Sequence, residues 1–199
     1  MGRVEKSREF ILLGLLALLW GWSYMLTKVA VSEIPPITLV AFRVSIAAVF
    51  LLGVMFWRRE RLPTDAKTWG KLLLQSFFNA IGAWLLVAWG QQFIDSGLAS
   101  VLNSTSPIFV FFITLAVTRH EAVGLLKLLG ACLGLMGVVL IVGMDALEGL
   151  GQQVAGQLAA LGGAVLYACA AIHGKRFSHL PATATAAGTM IWPRFVCCR

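Results

Sequence analysis

Charge is scarce in this sequence. Only 13% of its 199 residues are Asp, Glu, Lys or Arg, well below the roughly 25% of a soluble globular domain. Hydrophobic residues make up 59% and mean hydropathy is +0.84. So little charge cannot cover a water-exposed surface, which excludes a soluble enzyme or adaptor. The net charge of +7 does not point to nucleic acid, because the basic residues form no stripe with interleaved aromatics. Catalytic patterns are also missing: there is no HExxH, no GxSxG, no glycine-rich loop followed by Lys-Ser or Lys-Thr, and no cysteine pair at metal-ligand spacing. The chain is therefore expected not to be an enzyme and to use neither metal nor cofactor. Its four cysteines make no disulfide framework. Cys132 and Cys169 sit in apolar surroundings as small apolar residues, and Cys197 and Cys198 are neighbours.

What is present is uninterrupted apolar length. Six stretches, Phe10–Ala30, Ile37–Trp57, Leu72–Phe93, Leu98–Val117, Leu125–Met144 and Val154–Ile172, each run for about twenty residues. About 20 helical residues span the ~30 Å hydrocarbon core of a bilayer. Lipid gives the backbone no hydrogen-bond partner, so such runs must be helical. The expected fold is all-α, a polytopic helical membrane protein whose first partner is the lipid bilayer. The first stretch is too long for a signal core of roughly 7–15 residues and has no small-residue cleavage site after it. Lys6 stands where myristoylation needs Ser or Thr.

The basic residues fall in alternate loops. Twelve of the sixteen, Arg3, Lys6, Arg8, Arg58, Arg59, Arg61, Lys67, Lys71, Arg119, Lys127, Lys175 and Arg176, lie on one side of the implied membrane. The opposite loops carry Glu33, Asp95, Asp145 and Glu148 and no Lys or Arg; only Lys28 leans that way. The positive-inside rule then places the N-terminus in the cytoplasm of a multi-pass protein in the cell membrane.

Polar residues inside the stretches nominate a site. Trp20, Tyr24 and Lys28 are four apart and share one helix face. Trp20 lies about 12 Å inward of Lys28, too deep for an interfacial aromatic belt, whereas Lys28 can also snorkel from the helix end. Arg43 lies about 9 Å into the second stretch, where a cation costs at least ~2.5 kcal/mol and usually faces the bundle interior or water. No carboxylate lies within any stretch, so Glu33 or Asp95 from the loops is the available ion partner. His120, His173 and His179 all fall at the cytoplasmic edge, which leaves no titratable relay at depth.

In the fourth stretch Asn103-Ser104-Thr105-Ser106 precedes Pro107. Pro107 has no N–H for the carbonyl of Asn103, which invites a kink whose freed groups need polar neighbours or water. The spacing of Gly130, Gly134 and Gly137 reads as close helix packing, as do Gly162 and Gly163.

Taken in order, these strings resemble a known family. Leu18-Leu19-Trp20-Gly21-Trp22-Ser23 up to Lys28 is similar to the opening of the EamA-type repeat of the drug/metabolite transporter superfamily. The Pro-Thr entry to the second stretch with Ala41-Phe42-Arg43 resembles its continuation. Asp95-Ser96-Gly97-Leu98-Ala99-Ser100 up to Pro107 resembles its third-to-fourth helix junction. Arg119-His120-Glu121, Gly130 and Met136-Gly137-Val138 resemble the next junction. The likeness runs from about Leu12 to Val142.

The resemblance implies two inverted five-helix repeats with the solute path between them. It implies a carrier of small organic metabolites or drugs, an exporter working by alternating access. On that basis Trp20, Tyr24, Lys28, Arg43, Trp84, Asn103 and Ser106 would contact solute. The chain divides into a cytoplasmic tail 1–9, a five-helix repeat 10–144 and an incomplete second repeat 154–199. A seventh segment, Thr183–Trp192, covers only about 15 Å before Pro193, too short to cross, with Arg194 and Arg199 holding the tail at the cytoplasmic face. The second repeat is thus expected to be truncated, leaving the sixth helix short of partners and polar faces of the third and fourth helices toward lipid. The alternative function is a non-transporting membrane fragment that needs a complementing chain or a homo-oligomer.

Overall fold

The computed structural model describes residues 3–117, 125–142 and 153–197. Among them every regular element is a helix. Five are long and apolar enough to cross a membrane. α1 spans Arg3–Glu33 and α2 Pro36–Arg58. α3 spans Ala66–Gly90, α4 Ser96–Asn103 and α5 Ser106–Val117. α6 spans Leu125–Val142, α7 Val154–Gly174 and α8 Ala182–Cys197. The Arg119-His120-Glu121 junction and the Asp145 and Glu148 loop lie outside the described residues, as do the side chains of Lys127, Arg194 and Val138.

Local chemistry sets the boundaries. Pro36 starts α2 at a position where its missing N–H costs nothing. Arg59 ends α2 in the left-handed region at φ 54°. Asp65 caps α3 by accepting from the Thr68 N–H at 2.8 Å. The hydrogen bonds from Thr68 hold the Asp65 carboxyl below its ordinary range. Midway, α3 widens into a π-helical stretch, Phe77–Ala83, a local unwinding common at functional sites.

α7 is the axial helix, with 44% of its apolar window buried. Its small residues admit neighbouring backbones. A Cβ on Gly90 of α3 would lie 2.7 Å from the carbonyl oxygen of Gly156, and one on Gly163 would lie 2.7 Å from Val87 Cγ2. Gly162 also meets Leu86, so the packing expected at Gly162 and Gly163 is found. α3, α4 and α5 all pack on α7.

A second apolar layer joins Val40, Val44 and Ala48 of α2 to Ala80 and Ala88 of α3 and Met190 of α8. α8 differs from the expected ten-residue segment. It runs sixteen residues, Ala182–Cys197, through Pro193, about 24 Å of helix. Its buried Ala184 and Ala187 pack on Met55, and Trp192 meets Trp69 edge-on at 6.0 Å. Proline removes one backbone donor, which is not enough to stop a helix already wedged between α2 and α3.

The glycines of α6 are a correction. A Cβ on Gly130, Gly134 or Gly137 would meet nothing within 4 Å. The small-residue spacing is present on α6, and α6 packs on α4 and α5, but no described group closes on the glycine positions themselves.

The loops sort into two ends. Lys28, Glu33, Asp95 and the start of α7 gather at one. At the other, the Thr183 hydroxyl donates to the Glu60 carboxylate, Arg58 lies 3.8 Å from Glu60, and His173 Nδ1 lies 2.9 Å from Gln75 Oε1. The basic loop between α2 and α3 and the Lys175-Arg176 turn share this second end.

Candidate functional site

Two adjoining cavities lie among α1, α3, α4, α5 and α7, with Arg43 of α2 at the smaller and Ala131 of α6 at the larger. The larger, about 1750 Å³, is walled by Trp20 and Tyr24 of α1, Gln75 and Asn79 of α3, Ser100 and Asn103 of α4, and Ser104, Ser106 and Pro107 around the start of α5. Tyr167 closes it from α7, and Lys175 stands at its basic end. The smaller, about 330 Å³, is lined by Ser23 and Thr27, Arg43, Trp84 and Gln91. Trp20, Tyr24, Asn79 and Tyr167 line both, so the two spaces meet at this group.

The helix break explains the polar wall. α4 ends at Asn103 and α5 begins at Ser106. Pro107 leaves the Asn103 carbonyl without its helical donor, and Ser106 Oγ replaces it by donating at 2.6 Å. Thr105 Oγ1 donates to Leu102 O at 2.6 Å and Ser104 Oγ to Ser100 O at 2.8 Å. These hydroxyls thus spend their hydrogens on the chain and keep oxygen lone pairs free. Asn103 Oδ1, buried, has no hydrogen-bond partner, an acceptor left open in the wall.

The aromatic side is continuous. Trp20 and Tyr167 rings lie 6.2 Å apart at 45°. Tyr24 and Asn103 share the wall of the larger cavity, and Tyr167 and Trp84 that of the smaller. The Arg43 guanidinium lies over the Trp84 ring, Cζ 4.2 Å from the centroid, a cation–π contact.

The structure therefore brings Trp20, Tyr24, Arg43, Trp84, Asn103 and Ser106 together around one space. Lys28 falls outside both linings. Its Nζ donates to Gln91 O and Ile94 O, both at 2.8 Å, and sits 4.0 Å from Asp95 Oδ1. It caps the C-terminal end of α3, where helix carbonyls carry partial negative charge. Asp95, one of the two partners expected for Arg43, is thus beside Lys28, and Arg43 rests on an indole instead.

Gln75, Asn79, Gln91, Tyr167 and Lys175 were missed from sequence. Gln75 and Asn79 are four apart, the same signal that singled out Trp20 and Tyr24. Tyr167 is a lone phenol in a helix of small residues and carried no spacing cue.

With this geometry in view, comparison with known proteins is decisive. Residues 8–143 match the EamA-like transporter family. The chain belongs to the EamA-like transporter family. The match covers nearly the same span as the motif resemblance. The chain is 30% identical over 173 residues to an uncharacterized transporter, YoaV of Bacillus subtilis, covering 85% of this chain and 59% of that one. It is 27% identical to YvbV of the same organism, covering 88% and 56%. It is 26% identical to the uncharacterized inner membrane transporter YedA of Escherichia coli K12, covering 82% and 52%. The chain thus spans somewhat over half the length of these relatives. A solved crystal structure superposes with a TM-score of 0.65 at 20% identity, covering 90% of this chain and 65% of that one, which establishes the shared fold. This EamA-like chain is accordingly a multi-pass helical membrane protein of a transporter family.

Proposed function

We propose that this EamA-like chain forms the solute-binding cavity of a carrier that exports small organic molecules across the cytoplasmic membrane by alternating access. Solute binding is proposed for the chain itself, and transport for the protein at the length of its relatives. The observation that carries this is the joined pair of cavities, walled by aromatic rings, hydroxyls and an unpartnered Asn103 oxygen deep in apolar helices. Polar lining at this depth is costly unless it serves water or solute.

Alternating access is supported by the asymmetry of the two ends. The large cavity extends to Lys175 at the basic end. At the acidic end Lys28 ties α1 to the carbonyls of Gln91 and Ile94. With the N-terminus cytoplasmic, as the basic asymmetry supports, this arrangement is open inward and closed outward.

The test loads proteoliposomes with a small-molecule cell extract and follows solute loss by mass spectrometry. Loss of at least one small organic solute, absent from empty liposomes and abolished by Trp20→Ala with Asn103→Ala, is the expected result. Identical loss with and without protein would contradict a carrier.

A further inference from the structure

Arg43 is placed where a protein rarely leaves a cation, and its surroundings say what would complete it. It lies seven residues into α2, about 10 Å along the helix. The guanidinium Cζ lies over the Trp84 ring, 4.2 Å from its centroid. Among the described residues the ion pairs are Lys28–Asp95 and Arg58–Glu60, and no hydrogen bond leaves Arg43. Arg43 lines the smaller cavity with its side chain exposed, and its N–H donors, a rigid fork matched to carboxylate and phosphate, are taken by no described residue.

The charge of the walls has one sign. The acidic residues whose side chains are described are Glu9, Glu33, Glu60, Asp65 and Asp95, and none of them lines either cavity. Arg43 lines one cavity and Lys175 the other. An organic cation entering this space would meet no counter-charge and would face Arg43 across a wall of low dielectric. A neutral solute accepts from these donors but leaves the charge uncompensated. An oxyanion satisfies both the charge and the donors, and charge-assisted bidentate bonds are the strong ones.

We propose that the solute is an organic anion, its carboxylate or phosphate bound by the exposed edge of Arg43 and its apolar body held among Trp20, Tyr24, Trp84 and Tyr167. This rests on the cavities being the solute site.

Isothermal titration calorimetry on the chain in phosphatidylcholine nanodiscs tests this with four probes of similar size. They are 3-phenylpropionate, phenyl phosphate, 3-phenylpropionamide and 3-phenylpropylammonium. At least one anion should bind tenfold or more tighter than the amide, with the ammonium weakest, and the better anion identifies the headgroup. Arg43→Gln should bring the anion-to-amide ratio to within about twofold of unity. Arg43→Lys, which keeps the charge and loses the fork, should fall between. A ratio is read within each variant, so a general loss of affinity does not mask it, and monodisperse elution checks folding. An amide or ammonium binding as tightly as both anions, or an unchanged ratio in both Arg43 variants, would overturn the anion proposal alone. Binding of none of the four would overturn the cavity as solute site, and the anion proposal with it.

Discussion

At the scale of single residues, backbone groups decide more than side-chain pairs. Lys28 looked like a site residue because it shares a face with Trp20 and Tyr24, yet its ammonium is taken by two carbonyls at the end of α3. Hydrogen bonds to a charged group are worth about 1.5–3 kcal/mol each. Lys28→Met should therefore lower the thermal midpoint and raise the labelling of a cysteine at Thr27, read by maleimide kinetics in membranes. An unchanged rate would show that the outer end is closed by something else. Ser106→Ala removes the hydroxyl that donates to the Asn103 carbonyl and should cost about 1 kcal/mol, whereas Ser106→Thr should be tolerated; denaturant titration in detergent separates them. The residues that sequence identified as cavity-facing share a cause. Trp20, Arg43, Asn103 and Ser106 are polar or amphipathic groups at depths where lipid would penalise them. Lys28 sits near a helix end, where several environments suit a cation, and its partners are carbonyls that leave no mark in a sequence.

At the scale of elements, close approach depends on which neighbour arrives. Gly90 ends α3 between Trp89 and Gln91, and Gly134 lies within α6 in a run of small-residue spacing. A methyl on Gly90 would strike the Gly156 carbonyl oxygen at 2.7 Å, and one on Gly134 would meet open space. Overpacking of this kind costs roughly 1–3 kcal/mol, while Gly→Ala in an open helical position gains roughly 0.5–1 kcal/mol. Gly90→Ala should thus destabilise the chain and Gly134→Ala should not, by thermal denaturation of the two variants side by side. Helix existence was legible because a bilayer demands twenty apolar residues, and the break before Pro107 because proline has no donor. Pairing was not: the α3–α7 contact joins positions over sixty residues apart, and Tyr167 reaches the site only through it. The α3 cap supplies a pH test. Because the Asp65 pKa is lowered by Thr68, its contribution holds above the ordinary carboxylate range and is lost as pH falls through the lowered value. The protection factor of the Thr68 amide, corrected for the intrinsic pH dependence of exchange, should fall in acid by more than in Asp65→Asn.

At the scale of the whole molecule, the two ends differ in charge and in closure. A reporter fused after Asp95 should read as extracytoplasmic and one after Arg61 as cytoplasmic; the same compartment for both would break the topology. The central claim is that the space among α1, α3, α4, α5 and α7 is a wet cavity and not a lipid-facing groove. Ser104 lines that space, and Phe112, eight residues further along the same span, is 54% exposed on the outer surface. Single cysteines at these two positions, in a chain whose own cysteines are replaced by alanine, can be challenged with a charged, membrane-impermeant methanethiosulfonate in inside-out vesicles. Rapid modification at position 104 and none at 112 is the predicted result. Modification at neither, or at 112 and not at 104, would contradict the account.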